Sequence, residues 1–286
     1  MRILRFFLLF LLIGLVAPAV ATASAVSAPD HPTLVAIRAA HHPGFDRVVF
    51  TFDGGLPVYR HAAYTDNILG EGSGLPIPVA GRAILGVHFR WAHQATPSRK
   101  AFALPNVMTA VSSGEFEAVF VYGLGVAKKT PFQMFTLRHP ARVVVDVRAG
   151  FPTTSRKVFF FNRDRFVDNQ QPFFVPRSRP VRTATPATGV MDRLFAGPLP
   201  GERANGLRLL RSEATGYKNL SIANGIARVQ LTGGCNAGGS TVSIAGEIMP
   251  TLRQFGSVDW VKIYDPQGQT AAPNGQSDSI PDCLNP

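Results

Sequence analysis

Short apolar runs, each closed by a turn rich in glycine or proline, recur from Leu34 to Val147, and this punctuation leaves room for little except sheet. Residues 47–52 are Arg-Val-Val-Phe-Thr-Phe and run into Asp53-Gly54-Gly55. Residues 34–37, 83–89, 116–122, 132–137 and 142–147 follow the same plan, and Pro57-Val58-Tyr59 starts another run. β-Branched and aromatic residues fill the runs, and Gly, Pro, Asp and Ser fill the gaps. About seven short strands of this kind predict an all-β sandwich or barrel, and a sandwich is the expectation here. One short helix is expected between strands, over residues 105–112.

The pattern changes after about residue 156. Residues 157–162 read as an apolar strand, with residues 171–175 as a pairing partner. Thr185 before Pro186 marks a helix start, and Val190, Leu194 and Phe195 share one face of that helix. Gly197-Pro198 stops it. Asn224-Gly225 between two alternating runs is a strong hairpin signal. Apolar residues at 244, 248, 252 and 255 have helical spacing, although Pro250 lies among them, and residues 258–264 read as a last strand. Helices alternating with an antiparallel sheet predict a two-layer α+β domain. The fold class is therefore mixed. The expected order is a sandwich over 31–150, an α+β domain over 156–266, and a Gly-, Pro- and Asn-rich tail over 267–286. The linker, residues 148–155, is too short to let the domains tumble freely.

Location comes from the chain ends. Arg2 and Arg5 precede an apolar run at residues 6–16, Pro18 breaks it, and Ala21-Thr22-Ala23 and Ala23-Ser24-Ala25 fit cleavage sites. Residues 1–25 thus read as a signal peptide. The alternative is a retained anchor, but the run is shorter than the roughly 20 residues a span needs. About 260 residues would remain, enough for two domains of ordinary size. The whole chain carries 29 basic and 18 acidic residues. Loss of Arg2 and Arg5 leaves 27 against 18, a net charge of +9. Such a charge outside the cytoplasm favours anionic partners such as phosphate-rich wall polymers, acidic polysaccharide or lipid head groups, and export argues against nucleic acid. Cys235 and Cys283, the only cysteines, read as one disulfide holding the tail.

Particular residues extend this reading into known families. His42-Pro43-Gly44-Phe45-Asp46-Arg47, the Asp53-Gly54-Gly55 turn, Gly72-Ser73-Gly74 with Pro76 and Pro78, Tyr122-Gly123-Leu124-Gly125, and residues 142–146 together resemble the AMIN-like domain of exported actinobacterial proteins. Residues 157–161, Pro186-Ala187, Leu194-Phe195-Ala196-Gly197-Pro198 with Glu202, residues 224–229 and residues 258–263 resemble a GerMN domain, named from sporulation and germination proteins. The first resemblance implies association with peptidoglycan or an anionic wall polymer. The second implies an interaction module without catalytic residues, engaging another envelope protein.

No catalytic constellation competes with that reading. The seven histidines all lie at or before residue 139 and lack ligand spacing, so neither a metal nor another cofactor is expected. Gly72-Ser73-Gly74 falls short of a nucleophile elbow, and paired carboxylates are missing. The expected function is non-catalytic envelope binding. The alternatives are a regulator that binds a sensor or divisome protein without wall affinity, and an envelope hydrolase. Candidate ligand contacts are the aromatics Tyr59, Tyr64, Trp91 and Tyr122, and the basic cluster Arg177, Arg179 and Arg182, the latter read as a loop.

Overall fold

A computed structural model describes residues 31–286; the signal-peptide reading falls on residues outside them. The first domain runs through β1 (Thr33–His42), β2 (Phe45–Asp53), β3 (Tyr59–Thr65), β4 (Ile68–Leu69), β5 (Pro76–Ile77), β6 (Ala83–Arg90), β7 (His93–Gln94), β8 (Arg99–Ala101), β9 (Val107–Phe116), β10 (Val119–Val126), β11 (Phe132–Leu137) and β12 (Arg142–Arg148). They form two five-stranded sheets, β11-β12-β2-β1-β7 and β3-β6-β10-β9-β8, and the separate β4–β5 hairpin. Neither sheet closes into a barrel.

Alternation explains the packing. On β2, Asp46, Val48, Phe50 and Phe52 point inward and their neighbours outward. On β10, Phe120, Tyr122, Leu124 and Val126 are fully buried, and Tyr122, with Phe89 of the neighbouring strand β6, meets Phe50 from across the sandwich. Val121 on the opposite face of β10 is also buried, because Ile68 of the β4–β5 hairpin covers it. The bulge between Leu34 and Ala36 resets the phase of β1, so that Leu34 and Ile37 both reach the core despite odd spacing.

The helix expected over residues 105–112 is strand β9. Its start is held by a distant residue: the buried Asp46 carboxylate accepts from the backbone N–H groups of Asn106, at 2.6 Å, and Val107, at 2.8 Å. The run at residues 116–122 is two strands and a tip. Glu117 and Ala118 have φ of 49° and 58°, which turns β9 back into β10.

The second domain comprises β13 (Thr153–Asn162), α1 (Arg163–Val167), β14 (Phe174–Arg182), α2 (Pro186–Ala196), α3 (Pro200–Ala204), β15 (Leu207–Arg208), β16 (Ala214–Ala223), β17 (Ile226–Gly233), α4 (Ala245–Arg253) and β18 (Trp260–Tyr264). Two three-stranded sheets, β14-β13-β15 and β16-β17-β18, pack with α2 and α4 around one core. Asn224 and Gly225, with φ of 52° and 75°, make the expected hairpin turn. The second sheet is mixed, not antiparallel. β17 and β18 run parallel because α4 lies in the crossover between them. No helix among the described residues is long and apolar enough to cross a membrane.

Helix α4 also covers a sheet edge. Glu247, Thr251 and Gln254 stand at i, i+4 and i+7, one face of a helix. They accept the N–H groups of Phe161, Phe159 and Lys157 at 2.9, 3.0 and 2.9 Å, every second residue of β13. Donors that would otherwise template another chain are thereby satisfied. The helix thus satisfies the strand through side chains at the period of each element.

Glu247 also accepts from Leu210 N at 3.1 Å and is fully buried. Burial raises its pKa well above the ordinary value, against the two N–H groups and Arg211. The folded state then holds a proton that the unfolded state releases. Stability from this group is complete below the unfolded pKa and is lost as pH rises through the folded one. The urea midpoint is therefore expected to fall as pH rises above the ordinary carboxylate range, and to fall less steeply in Glu247→Gln. Equal slopes in the two proteins would refute the assignment.

His31–Pro286 forms one compact unit, so the short linker joins domains that also touch. Met108 and Ala127 of the sandwich pack with Ala196 of α2 and with Phe151 of the linker. Arg82 donates to Asp192 at 2.6 Å and to the Tyr217 hydroxyl at 3.2 Å. Gly125 has no room for a side chain, since an added Cβ would lie 2.0 Å from the Ala80 carbonyl oxygen. The tail is likewise more than tethered. Ser279 donates its N–H to Val261 O at 3.0 Å and accepts from Ile263 N at 2.9 Å, so the tail lies along β18.

Candidate binding site

The outer face of the sheet β3-β6-β10-β9 is half covered. The β4–β5 hairpin shields the part around Val121 and Gly123. The other end is open, and strand register sets one row across it: Tyr59 opposite Arg90, Arg90 opposite Val119, and Val119 opposite Phe116. Directly paired residues share a face. Phe89 and Phe120 in the next positions are buried in the core, so the row faces solvent. Neighbouring strands lie about 4.8 Å apart, which makes the row about 14 Å long.

Two of its members are bare, Tyr59 at 40% and Phe116 at 55% exposed, and next to it in the chain Val58 and Trp91 are 73% and 49% exposed. The Arg90 guanidinium carbon stands 5.0 Å from the Tyr59 ring centroid, a cation–π contact. Trp91 follows Arg90 with a φ of 54°, a costly conformation for a large side chain. The strand ends there, and Ala92 N bonds to Ala118 O at 3.2 Å, which pins the turn that displays the indole. One step along the face lie His61 and His88, with ring centroids 6.2 Å apart. Burial, then His61 and Arg90, push the His88 pKa down. The site is thus an aromatic strip with one fixed cation and a neutral imidazole beside it. Flat rings beside a guanidinium suit a ligand with both C–H faces and anionic groups.

The other expected contacts lie elsewhere. Tyr122 is fully buried, and its hydroxyl sits 2.8 Å from Thr96 Oγ1 and donates to Pro97 O at 3.2 Å, so it has no surface to offer. Tyr64 spends its hydroxyl on Thr130, donating to the carbonyl at 2.7 Å and accepting from the N–H at 3.1 Å. Arg177, Arg179 and Arg182 lie on β14, not in a loop. Arg179 is buried, donates to Glu202 at 2.9 Å and stacks over Phe160, while Arg177 reaches the same carboxylate at 3.8 Å. Arg182 lies over the Phe151 ring. Glu202 therefore neutralises the centre of that cluster, which clamps α3 to the sheet. Among the described residues no three His, Cys, Asp or Glu side chains converge as a metal site.

Arg90 and Phe116 escaped the sequence reading because their importance lies in register. A hairpin tip of Glu117-Ala118 lacks the Gly or Asn that usually marks one.

Comparison with protein families places both domains. Residues 32–149 match the AMIN-like domain, and residues 157–265 match the family described as sporulation and spore germination, the GerMN domain. No curated protein and no solved structure matches the chain. The chain carries an AMIN-like domain followed by a GerMN domain, and this pair together with the Cys235–Cys283 disulfide points to an extracytoplasmic, envelope-associated protein.

Proposed function

We propose that the protein is a non-catalytic, secreted binder of the cell wall, whose AMIN-like domain holds peptidoglycan or an anionic wall polymer and whose GerMN domain engages another envelope protein. The exposed row of Tyr59, Arg90 and Phe116, with the exposed Trp91 following Arg90, carries the proposal. Sugar rings offer C–H faces to Tyr and Trp, and the carboxylates or phosphates of a wall polymer suit Arg90. The mature net charge of +9 draws the chain to such polymers.

Purified mature protein is expected to co-sediment with insoluble peptidoglycan at low salt. Tyr59→Ala and Trp91→Ala should each weaken retention about tenfold, the cost of truncating an exposed anchor. No retention, or retention unchanged in both variants, removes the wall-binding assignment. The same preparation should leave a wall-containing zymogram uncleared, and clearing would make the protein a hydrolase. Crosslinks in intact cells to protein without glycan would favour a regulator.

A further inference from the structure

A second site lies at the domain junction, where residues 35–38 on β1 and 96–101 around β8 face Pro200 and Arg203 of α3 across a cleft of about 420 Å³. Arg38, Arg99, Lys100 and Arg203 line it, and no acidic side chain does. Arg211 lies near enough to disfavour the charge on Arg99. Among the described residues none of these five cations has a carboxylate within ion-pairing distance.

Four of them lean on backbone carbonyls instead. Arg99 donates to Pro78 O at 2.8 Å, Lys100 to Ile37 O at 2.5 Å, Arg203 to Pro198 O at 3.2 Å and Arg211 to Phe195 O at 3.4 Å. A carbonyl satisfies a hydrogen bond but leaves the net charge in place. Arg99 Nη1 has no partner at all, and among the described residues it is the one buried side-chain nitrogen or oxygen so placed. A buried donor without a partner asks for a missing ion or water. Burial, with Arg211 and Arg203 beside it, pushes Arg99 down to about 10, so it remains a cation at neutral pH.

We propose that this cleft is a binding site for a phosphate ester, which places its anionic group among Arg99, Lys100 and Arg203 and its small organic body against Val35, Pro97 and Pro200. Two guanidinium forks and an ammonium match tetrahedral phosphate oxygens better than a lone carboxylate, which one fork would satisfy. The volume suits a small ligand, at the lower end of the range for such pockets. One side of the cleft belongs to each domain, so the ligand would hold them together. This site lies apart from the aromatic row and does not depend on it.

The test is calorimetric titration of the mature protein with glycerol phosphate, with acetate as the carboxylate control, beside sedimentation with phosphatidylcholine vesicles that do or do not contain phosphatidylglycerol. Glycerol phosphate is expected to bind and acetate not. Arg99→Gln and Arg203→Gln should each weaken binding at least tenfold, and Tyr59→Ala should leave it unchanged. Arg203 is half-buried on a short helix, so its variant keeps the site testable if Arg99→Gln does not fold. Binding to the phosphatidylglycerol vesicles alone, lost in the same variants, makes the ligand a lipid head group. Binding to neither phosphate probe, equal binding of acetate, or native affinity in the folded variants overturns the site. Peptidoglycan retention fails or survives independently of every one of these outcomes.

Discussion

Arg193→Ala is expected to lower the unfolding free energy by about 3 kcal/mol and to open the linker to protease, because one side chain carries much of the domain contact. Arg193 leaves α2 and is wholly buried. Its guanidinium donates to Phe102 O at 2.9 Å, to Leu104 O, and to Pro105 O at 3.3 Å. All three carbonyls belong to the segment that leads into β9 of the other domain. Hydrogen bonds from a charged donor are worth about 1.5–3 kcal/mol each, and unpaired buried carbonyls keep their desolvation cost. Against this stands the cost of burying the charge. Burial and Arg179 lower the Arg193 pKa to about 10, with Asp46 and Asp192 opposing, so the group stays protonated at neutral pH. Removing it recovers part of the desolvation penalty, which holds the net loss to about 3 kcal/mol. Arg193→Met refills volume but offers no donor. If the carbonyls dominate, Met costs nearly as much as Ala; if the cavity dominates, Met recovers most of the loss. Urea midpoints separate the cases, and limited proteolysis at residues 150–155 reports domain opening. A change under about 0.5 kcal/mol in Arg193→Ala would mean that the junction does not need this contact.

The comparison of sequence with structure turns on the same distinction between local and distant causes. The strand runs were legible because β-branched and aromatic residues crowd into residues 47–52 and 142–147 and turn residues separate the runs. β9 was not, because what sets residues 106 and 107 is a carboxylate at position 46. Tyr59 and Trp91 were legible by residue type alone, but type did not separate them from Tyr122. Parity could have: Tyr122 is in phase with Phe120, Leu124 and Val126, all inward. The signal was masked because Val121 is apolar as well, and its reason is the β4–β5 hairpin lying over that face. Likewise Arg179 read as surface charge until β14 placed it beside Glu202, a residue brought there by α3. The disulfide needed only a count of two, whereas the hydrogen bonds that lay the tail along β18 left no mark in its composition.

Those hydrogen bonds determine what loss of the disulfide should do. The bridge spans 48 residues, and Cys235→Ser with Cys283→Ser is expected to lower stability by about 4 kcal/mol through loop entropy of the unfolded chain. The folded chain should respond unevenly. The tail keeps its bonds through Ser279, and Ala271 N still donates to Ile280 O at 3.1 Å. Under it lies Lys262, fully buried, whose ammonium donates to Ala272 O at 2.5 Å and Asn274 O at 3.1 Å. A cation cannot stay buried without those carbonyls, so opening the tail must also hydrate Lys262. The tail and the outer edge of β18 should therefore open as one unit, below the free energy of global unfolding. In the double variant the amides of Ile263 and Ser279 should exchange faster than those of Val158 and Phe160, which lie on β13 away from that edge. Uniform acceleration at all four would place the whole effect in the unfolded chain. Unchanged stability would mean that the tail closes the loop without its disulfide. Lys262→Met tests the coupling: it removes the buried charge, so in the disulfide-free chain it should let the tail open while the pairing of β18 with β17 stays intact.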